Sequence, residues 1–352
     1  MNSTPAKNNY DSLLTGIGQL LTTGRQRLAL AVNDVMVDTY WHIGQYIVEY
    51  EQQGNEKAVY GSNLINRLSH DLTERYGKGF GKSNLLYIRK FYVTFQKSGT
   101  PSHLLTWSHY YEILKTDNPL EMEFYIHQCE NERWSVRELK RQMKSMLFHR
   151  LALSKDKQGV LALARQGQTI EKPEDLIRDP YVFDFAGLPD KNIYTENELE
   201  DALIAHLEEF LLELGKGFAF IGRQQRISIA GRHYHVDLVF YHRILKCFVL
   251  IDLKRGTIQH EDIGQMNLYL NYYRAEQNVD GDNEPVGIVL GANADRLTME
   301  YALNGITNQL FAAKYLLYLP QKEELQAQLE LVLNKWEKNK EEQNKKLKGG
   351  EG

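Results

Sequence analysis

The stretch His235-Val236-Asp237-Leu238-Val239-Phe240-Tyr241 decides the fold together with its successor, Cys247-Phe248-Val249-Leu250-Ile251-Asp252-Leu253-Lys254. Both runs are apolar and rich in β-branched and aromatic residues, so both predict strands. The short polar turn His242–Lys246 between them predicts a hairpin. Strand side chains alternate faces. Asp237 therefore shares a face with Val239, while Val236, Leu238 and Phe240 take the other. Asp252 and Lys254 share one face of the second strand, and Val249, Ile251 and Leu253 the other. A carboxylate inside such a run is costly to bury unless it is paired or binds a metal. Two adjacent strands thus bring Asp237, Asp252 and Lys254 to one end of a sheet.

That set has a chemical use. Two carboxylates bind a hard divalent ion such as Mg²⁺, or Mn²⁺, through oxygen. The ion polarises a scissile phosphate, and a nearby lysine orients or deprotonates water and offsets phosphate charge. This is the D…(D/E)-x-K arrangement of metal-dependent phosphodiester cleavage. A D-x-K string alone occurs by chance in long chains, and an ordinary Asp252–Lys254 ion pair at a strand end is the competing reading. The surroundings sharpen the first reading: a helix precedes the strands and a helix follows them.

Working outward, Glu198 to Leu214 carries an apolar stripe of Leu199, Leu203, Leu207, Phe210, Leu211 and Leu214, and Gly215 and Gly217 end it. Phe218–Gln224 predicts a first strand, Asp262–Ala275 a helix, and Val286–Leu290 and Tyr315–Leu319 two more strands with a helix between them. The order is α-β-β-β-α-β, then a helix and a strand. Upstream the reading is helical: a 3.6-residue pattern from Leu13 to Ile47, a helix Asn63–Tyr76, the turn Gly77-Lys78-Gly79-Phe80-Gly81, and a helix N-capped at Ser83-Asn84. Shorter helices follow around Tyr110–Thr116, Pro119–Glu130 and Ser135–Leu151. The expected organisation is a helical domain over 10–155, a connector over 156–195 holding Pro173, Pro180 and Pro189, an α/β domain over 196–335 and a charged tail over 336–352.

Composition narrows the class. The chain has 352 residues, 42% hydrophobic and 25% charged, as in ordinary globular proteins, which excludes a disordered chain or a disulfide scaffold. Its net charge of −4 excludes a globally basic nucleic-acid coat but not a local basic surface. Cys129 and Cys247 are far apart with no ligand partner nearby, which predicts reduced thiols and a cytoplasmic setting. No signal peptide is read in Met1–Asn9, and no apolar run is long enough to span a membrane.

Several strings in order resemble one family. Gly217-Phe218-Ala219-Phe220-Ile221-Gly222-Arg223-Gln224, His235-Val236-Asp237-Leu238-Val239-Phe240-Tyr241-His242-Arg243 and Gly264-Gln265-Met266-Asn267-Leu268-Tyr269-Leu270 are similar to the catalytic domain of YhcG-like nucleases. Leu105-Thr106-Trp107-Ser108-His109-Tyr110 and Trp134-Ser135-Val136-Arg137-Glu138-Leu139 resemble that family's N-terminal domain, and Asp179-Pro180-Tyr181-Val182-Phe183-Asp184-Phe185 its connector. The resemblance spans roughly residues 10–335. It implies a helical N-terminal domain joined to a restriction-endonuclease-like, PD-(D/E)XK mixed sheet flanked by helices. It implies metal-holding roles for Asp237, Asp252 and Glu200, a catalytic lysine at Lys254 and a supporting glutamine at Gln265. The family commonly has Glu where this chain has Asp252, one methylene shorter, which puts metal geometry rather than fold in question. Plainer readings stand beside these: Glu200 as a favourable acid in a helix first turn, and Gln265 as a bridge to buried backbone.

Other residues suggest nucleic-acid contact. Arg223, Gln224 and Arg226 precede Asp237 and suit phosphate or are solvated edge residues. His233 and His235, at i and i+2, read as exposed strand histidines rather than ligands. From Tyr60 to Ser98 seven Lys/Arg stand against two acids, and from Asn131 to Lys157 eight against three. Such clusters favour nucleic acid by counterion release. The helices either side of the glycine turn form a helix-turn-helix-like pair with Lys82, Asn84 and Arg89 opening a recognition helix; the competing reading is the solvated face of a dimerisation domain. The expected function is a Mg²⁺-dependent nuclease of DNA in processing or defence, assembled as a homo-oligomer. The alternatives are a DNA- or RNA-binding accessory protein with a silent site and an oligomeric scaffold.

Overall fold

The computed structural model describes residues 10–52, 61–96, 102, 104–153, 157–188, 194–229, 231–293, 309–321, 325 and 327. The helix expected between the last two strands and the charged tail lie outside the described residues. By contacts the chain divides into two compact units, Met1–Met122 and Glu123–Gly352.

The first unit is helical: α1 (Tyr10–Gln52), α2 (Gly61–Tyr76), α3 (Lys82–Phe95) and α4 (Trp107–Ile113), with the start of α5 (Pro119–Glu132). Ile47, Ile65, Leu85 and Ile88 form a small core. Gly44 permits the close crossing of α1 over α3, since a Cβ there would meet Ile88 O at 2.5 Å. Between α2 and α3, Gly77 and Gly79 take positive φ, as the glycine turn requires. The N-cap of α3 is Gly81, not Ser83-Asn84. The Asn84 amide instead donates to Gly79 O at 2.6 Å and accepts from Trp107 Nε1 at 3.0 Å.

The second unit begins with α6 (Val136–Lys144), α7 (Leu147–Leu153) and α8 (Lys157–Gln166). A two-residue strand follows, β1 (Tyr181–Val182). Then come α9 (Glu196–Ala205), α10 (Leu207–Leu214), β2 (Phe218–Ile229), β3 (Arg232–His242), β4 (Cys247–Thr257), α11 (His260–Glu276), β5 (Val286–Asn293) and β6 (Leu310–Leu316). The six strands form one mixed sheet in the order β1-β6-β5-β4-β3-β2. β1, β6, β5 and β4 are mutually parallel, and β4-β3-β2 antiparallel. β4 is central and paired on both sides, which is why its sequence is an almost unbroken apolar run. One face packs Val249, Ile251 and Leu253 with Leu199, Leu203 and Phe210 of α9 and α10. The other packs Leu250 and Val289 under Ile263, Met266 and Tyr269 of α11.

Three details differ from expectation. The single helix read over Glu198–Leu214 is two, broken at His206 (φ −116°, ψ 42°), because the apolar stripe continues across the break and masks it. The first strand runs on to Ile229, paired with β3 on both sides of a register shift between Phe220 and Gly222. The basic segment 131–157 is partly spent internally: buried Arg150 pairs with Glu213, Arg141 with Asp184 at 2.8 Å and Arg137 with Glu209 at 3.4 Å. Cys129 and Cys247 are free and buried. Among the described residues no helix is long and apolar enough to cross a membrane.

Candidate active site

The site forms where two strands part. β3 and β4 pair from His242↔Cys247 to Leu238↔Ile251 and no further. Asp237 and Asp252 are the next residues on each strand, at the fork. In place of a ladder bond, Leu253 N–H donates to Asp237 Oδ2 at 2.7 Å. Alternation slips at this point. Val236 and Val239 both join the α11-side core, while Leu238 and Phe240 join the other, so Val236 does not share the face of Leu238 and Phe240. A second irregularity lies across the hairpin. Gln224 stands in register opposite Asp237, between the pairs Arg223↔Leu238 and Gln225↔Val236. Its backbone is left-handed, with φ 49°, a conformation that a non-glycine residue adopts only under local constraint.

Gln224 does not point into solvent. Its amide nitrogen donates to Glu200 Oε2 and, at 3.1 Å, to Asp237 Oδ1. Glu200, buried on α9, therefore meets Asp237 through an amide rather than directly. Arg223, beside it, is held by Asp201 at 2.6 Å with Glu200 at 3.7 Å.

Asp252 is only 3% exposed. Lys254 Nζ lies 2.8 Å from its Oδ2, and this one ammonium offsets only part of the cost of burying the carboxylate. Lys254 also lies 3.7 Å from Asp262 Oδ1. Burial, then repulsion from Asp237, pushes Asp252 up to about 7. Burial likewise raises Asp237 and Glu200, the first against the Leu253 N–H and the second against the Gln224 amide. Burial alone would lower Lys254, but Asp252 and Asp262 outweigh it and hold the amine well above its ordinary value. Without a bound ion, Lys254 is thus held as an ammonium, a donor toward water or phosphate.

The donor set is all oxygen, buried and short of positive charge, which fits a hard divalent cation. Among the described residues no three His, Cys, Asp or Glu side chains stand together as a preformed metal centre. Gln265 is half-buried on α11, one turn on from Asp262. Arg226 is exposed on β2. Of the recognition-helix residues, Lys82 is exposed, Asn84 is engaged as described and Arg89 pairs with Glu51 at 2.8 Å. Three neighbours of the site were not singled out from sequence. Asp262 both caps α11 and faces Lys254, and the signal was its place three residues after Gln259. Glu196 accepts from Arg255 N–H at 3.1 Å. Tyr315 donates to Lys254 O at 3.1 Å, a contact across the sheet with no local signature.

Comparison with known proteins fits this geometry. A family model described as a YhcG PDDEXK nuclease domain matches residues 174–330, and one described as a DUF1016 N-terminal domain matches residues 16–150. The curated relative "Putative nuclease YhcG" of Escherichia coli (strain K12) is 38% identical over 352 residues, covering 91% of this chain and 93% of that protein. The chain belongs to the YhcG nuclease family. The YhcG-type domain spans the whole fork: Glu200, Gln224, Asp237, Asp252, Lys254 and Gln265 all fall inside the matched 174–330. The solved "repair endonuclease from Pyrococcus abyssi" is 20% identical, covers 36% of this chain and 48% of its own, and superposes with a TM-score of 0.27, too partial a match to argue from.

Proposed function

We propose that this YhcG-family chain is a metal-dependent nuclease that hydrolyses phosphodiester bonds, with DNA the favoured substrate. The observation that carries the reading is the under-compensated pair Asp237–Asp252 at the strand fork, with the Lys254 ammonium beside it. Asp237 and Asp252 would hold Mg²⁺, or Mn²⁺, and Glu200 would join them through the Gln224 clasp. The bound ion supplies Lewis acidity at the scissile phosphate. Lys254 orients the attacking water and offsets phosphate charge, as a donor. Gln265 supports the site from the flank of α11.

Arg226, Gln224 and Arg223 border the fork. Arg226 and Lys82 suit phosphate best: both are exposed and Arg226 meets a histidine ring rather than a carboxylate, whereas Arg223 and Arg89 pair with acids and Gln224 and Asn84 are engaged within the protein. Exposed Ile17, Leu20, Leu21 and Val35 on α1 suit self-association, so we assign a homo-oligomer. Two free thiols suit a reducing cytoplasm. DNA processing or defence against foreign DNA rests on analogy of fold alone.

The test is cleavage of duplex, single-stranded, branched and RNA substrates with Mg²⁺ or Mn²⁺, with wild type beside Asp237→Ala and Lys254→Ala. Cutting by wild type alone supports the reading and gives the substrate class. Equal cutting by all three, or salt-sensitive binding with no cutting, overturns it; the second result points to an accessory binding protein.

A further inference from the structure

Past the fork, β2 and β3 leave β4 and continue as a two-stranded arm through Gln225↔Val236, Arg226↔His235, Ile227↔Tyr234, Ser228↔His233 and Ile229↔Arg232. Its two faces differ. Ile227, Ile229, Tyr234 and Val236 pack against α11, and Tyr269 Oη fixes the arm by donating to His235 O at 3.0 Å. The opposite face carries Arg226, Ser228, His233 and His235, all exposed. Arg226 Nη2 lies 2.9 Å from the His233 ring, and Ser228 Oγ 3.0 Å from His233 Nδ1. In order from the fork, the cross-strand pairs are Gln224 with Asp237, Arg226 with His235, and Ser228 with His233, each roughly 6.7 Å beyond the last.

We propose that this face is a track for the phosphate backbone of the strand to be cut, leading to the Asp237 carboxylate. The proposal rests on the nuclease reading and deepens it. Charge complementarity carries it. From Phe218 to His242 the only acid is Asp237, at the root of the arm, while the face itself carries the Arg226 guanidinium, in a chain of net charge −4. Every side chain on the face offers a hydrogen-bond donor, the imidazoles in either tautomer. Phosphate oxygens are acceptors and take such donors without regard to base sequence. The arm is backed by a helix, so its donors are held at fixed spacing. A second use of these charges is to guard the outer edge of β2 against strand addition, and the test separates the two.

The full chain is titrated in EDTA, where no cutting occurs, against fluorescein-labelled duplex DNA, single-stranded DNA and RNA of one sequence at several salt concentrations. Arg226→Ala/His233→Ala is expected to bind about tenfold more weakly, with the slope of log K against log salt falling by about one. Arg226→Lys should keep the slope. Unchanged affinity and slope in a double variant that melts as wild type, while wild type cuts, would overturn the track alone. Unchanged affinity with new self-association would overturn it in favour of edge protection. A wild type that neither binds nor cuts any probe would overturn the nuclease reading and the track with it.

Discussion

Glu213 and Asp252 lie in the same unit and are nearly equally buried, at 1% and 3% exposure, yet they are built for different ends. Glu213 receives both guanidinium arms of Arg150 and the Val182 N–H at 2.9 Å, so each oxygen has an aligned donor. Asp252 has one ammonium at 2.8 Å and a second carboxylate pushing against it. A buried acid with matched donors is part of the scaffold. A buried acid without them binds its proton too tightly and is open to a stronger cation.

The largest effect should separate the two in activity. Asp252→Asn removes one of the two carboxylates proposed to hold the ion and should lower cutting by roughly 10⁴-fold while the fold persists. Asp252→Glu, which keeps the carboxylate and lengthens the side chain by one methylene, should keep most of it. Glu213→Gln should leave cutting per folded molecule near wild type. Single-turnover cleavage, normalised to the folded fraction, reads all three; loss of cutting in folded Glu213→Gln would erase the distinction.

The next effect is in stability and runs the other way. Arg150→Met strands Glu213 in the core without its partner and should cost about 3–5 kcal/mol, seen as an earlier urea midpoint. A shift as small as that of an exposed pair would mean that Glu213 is reached by water.

A smaller effect is in pH. Asp252 has a folded pKa of about 7, above the roughly 3.9 of an unfolded Asp, so the folded state holds the extra proton between those values. Its contribution to stability is therefore lost as pH rises through that window. In metal-free protein stability should fall across that window, and Asp252→Asn should flatten the fall. Melting temperatures of both proteins across that range check the sign; a rise in stability with pH that vanishes in Asp252→Asn would reverse the reading of the site.

The same contrast marks what the sequence could and could not convey. The β4 run and its D-x-K ending were legible because a central strand must be apolar on both faces, and two charges at its end stand out. The scaffold pair was not. Arg150 was read as one more charge in a basic segment, since nothing local says that its partner lies 63 residues on, at Glu213. β1 was missed for a like reason: two residues make a strand only because β6 lies beside them. The β2 side of the arm beyond Gln224 was not read as strand, because Arg223-Gln224-Gln225-Arg226 lacks apolar alternation. It is a strand by virtue of its pairing and of α11 behind it.

Gln224 is the clearest case of a role without a sequence signal, and its test has the smallest expected effect. A polar residue in a polar run gives no sign that its backbone is left-handed or that its amide ties α9 to β3. The clasp sits on Asp237 Oδ1, an atom the ion would also use. A carboxylate oxygen has more than one lone pair, so amide and ion are compatible, and the clasp gathers Glu200 and Asp237 in advance. The hydrogen bond also favours the charged form of Glu200, which is the form an ion needs. Gln224→Leu should therefore weaken Mn²⁺ binding by about threefold, a loss of under 1 kcal/mol, when followed by calorimetry without nucleic acid. Tighter binding in the variant would mean that the amide occupies the ion's own place, and Asp237 would then join Glu213 as an acid already satisfied by the protein.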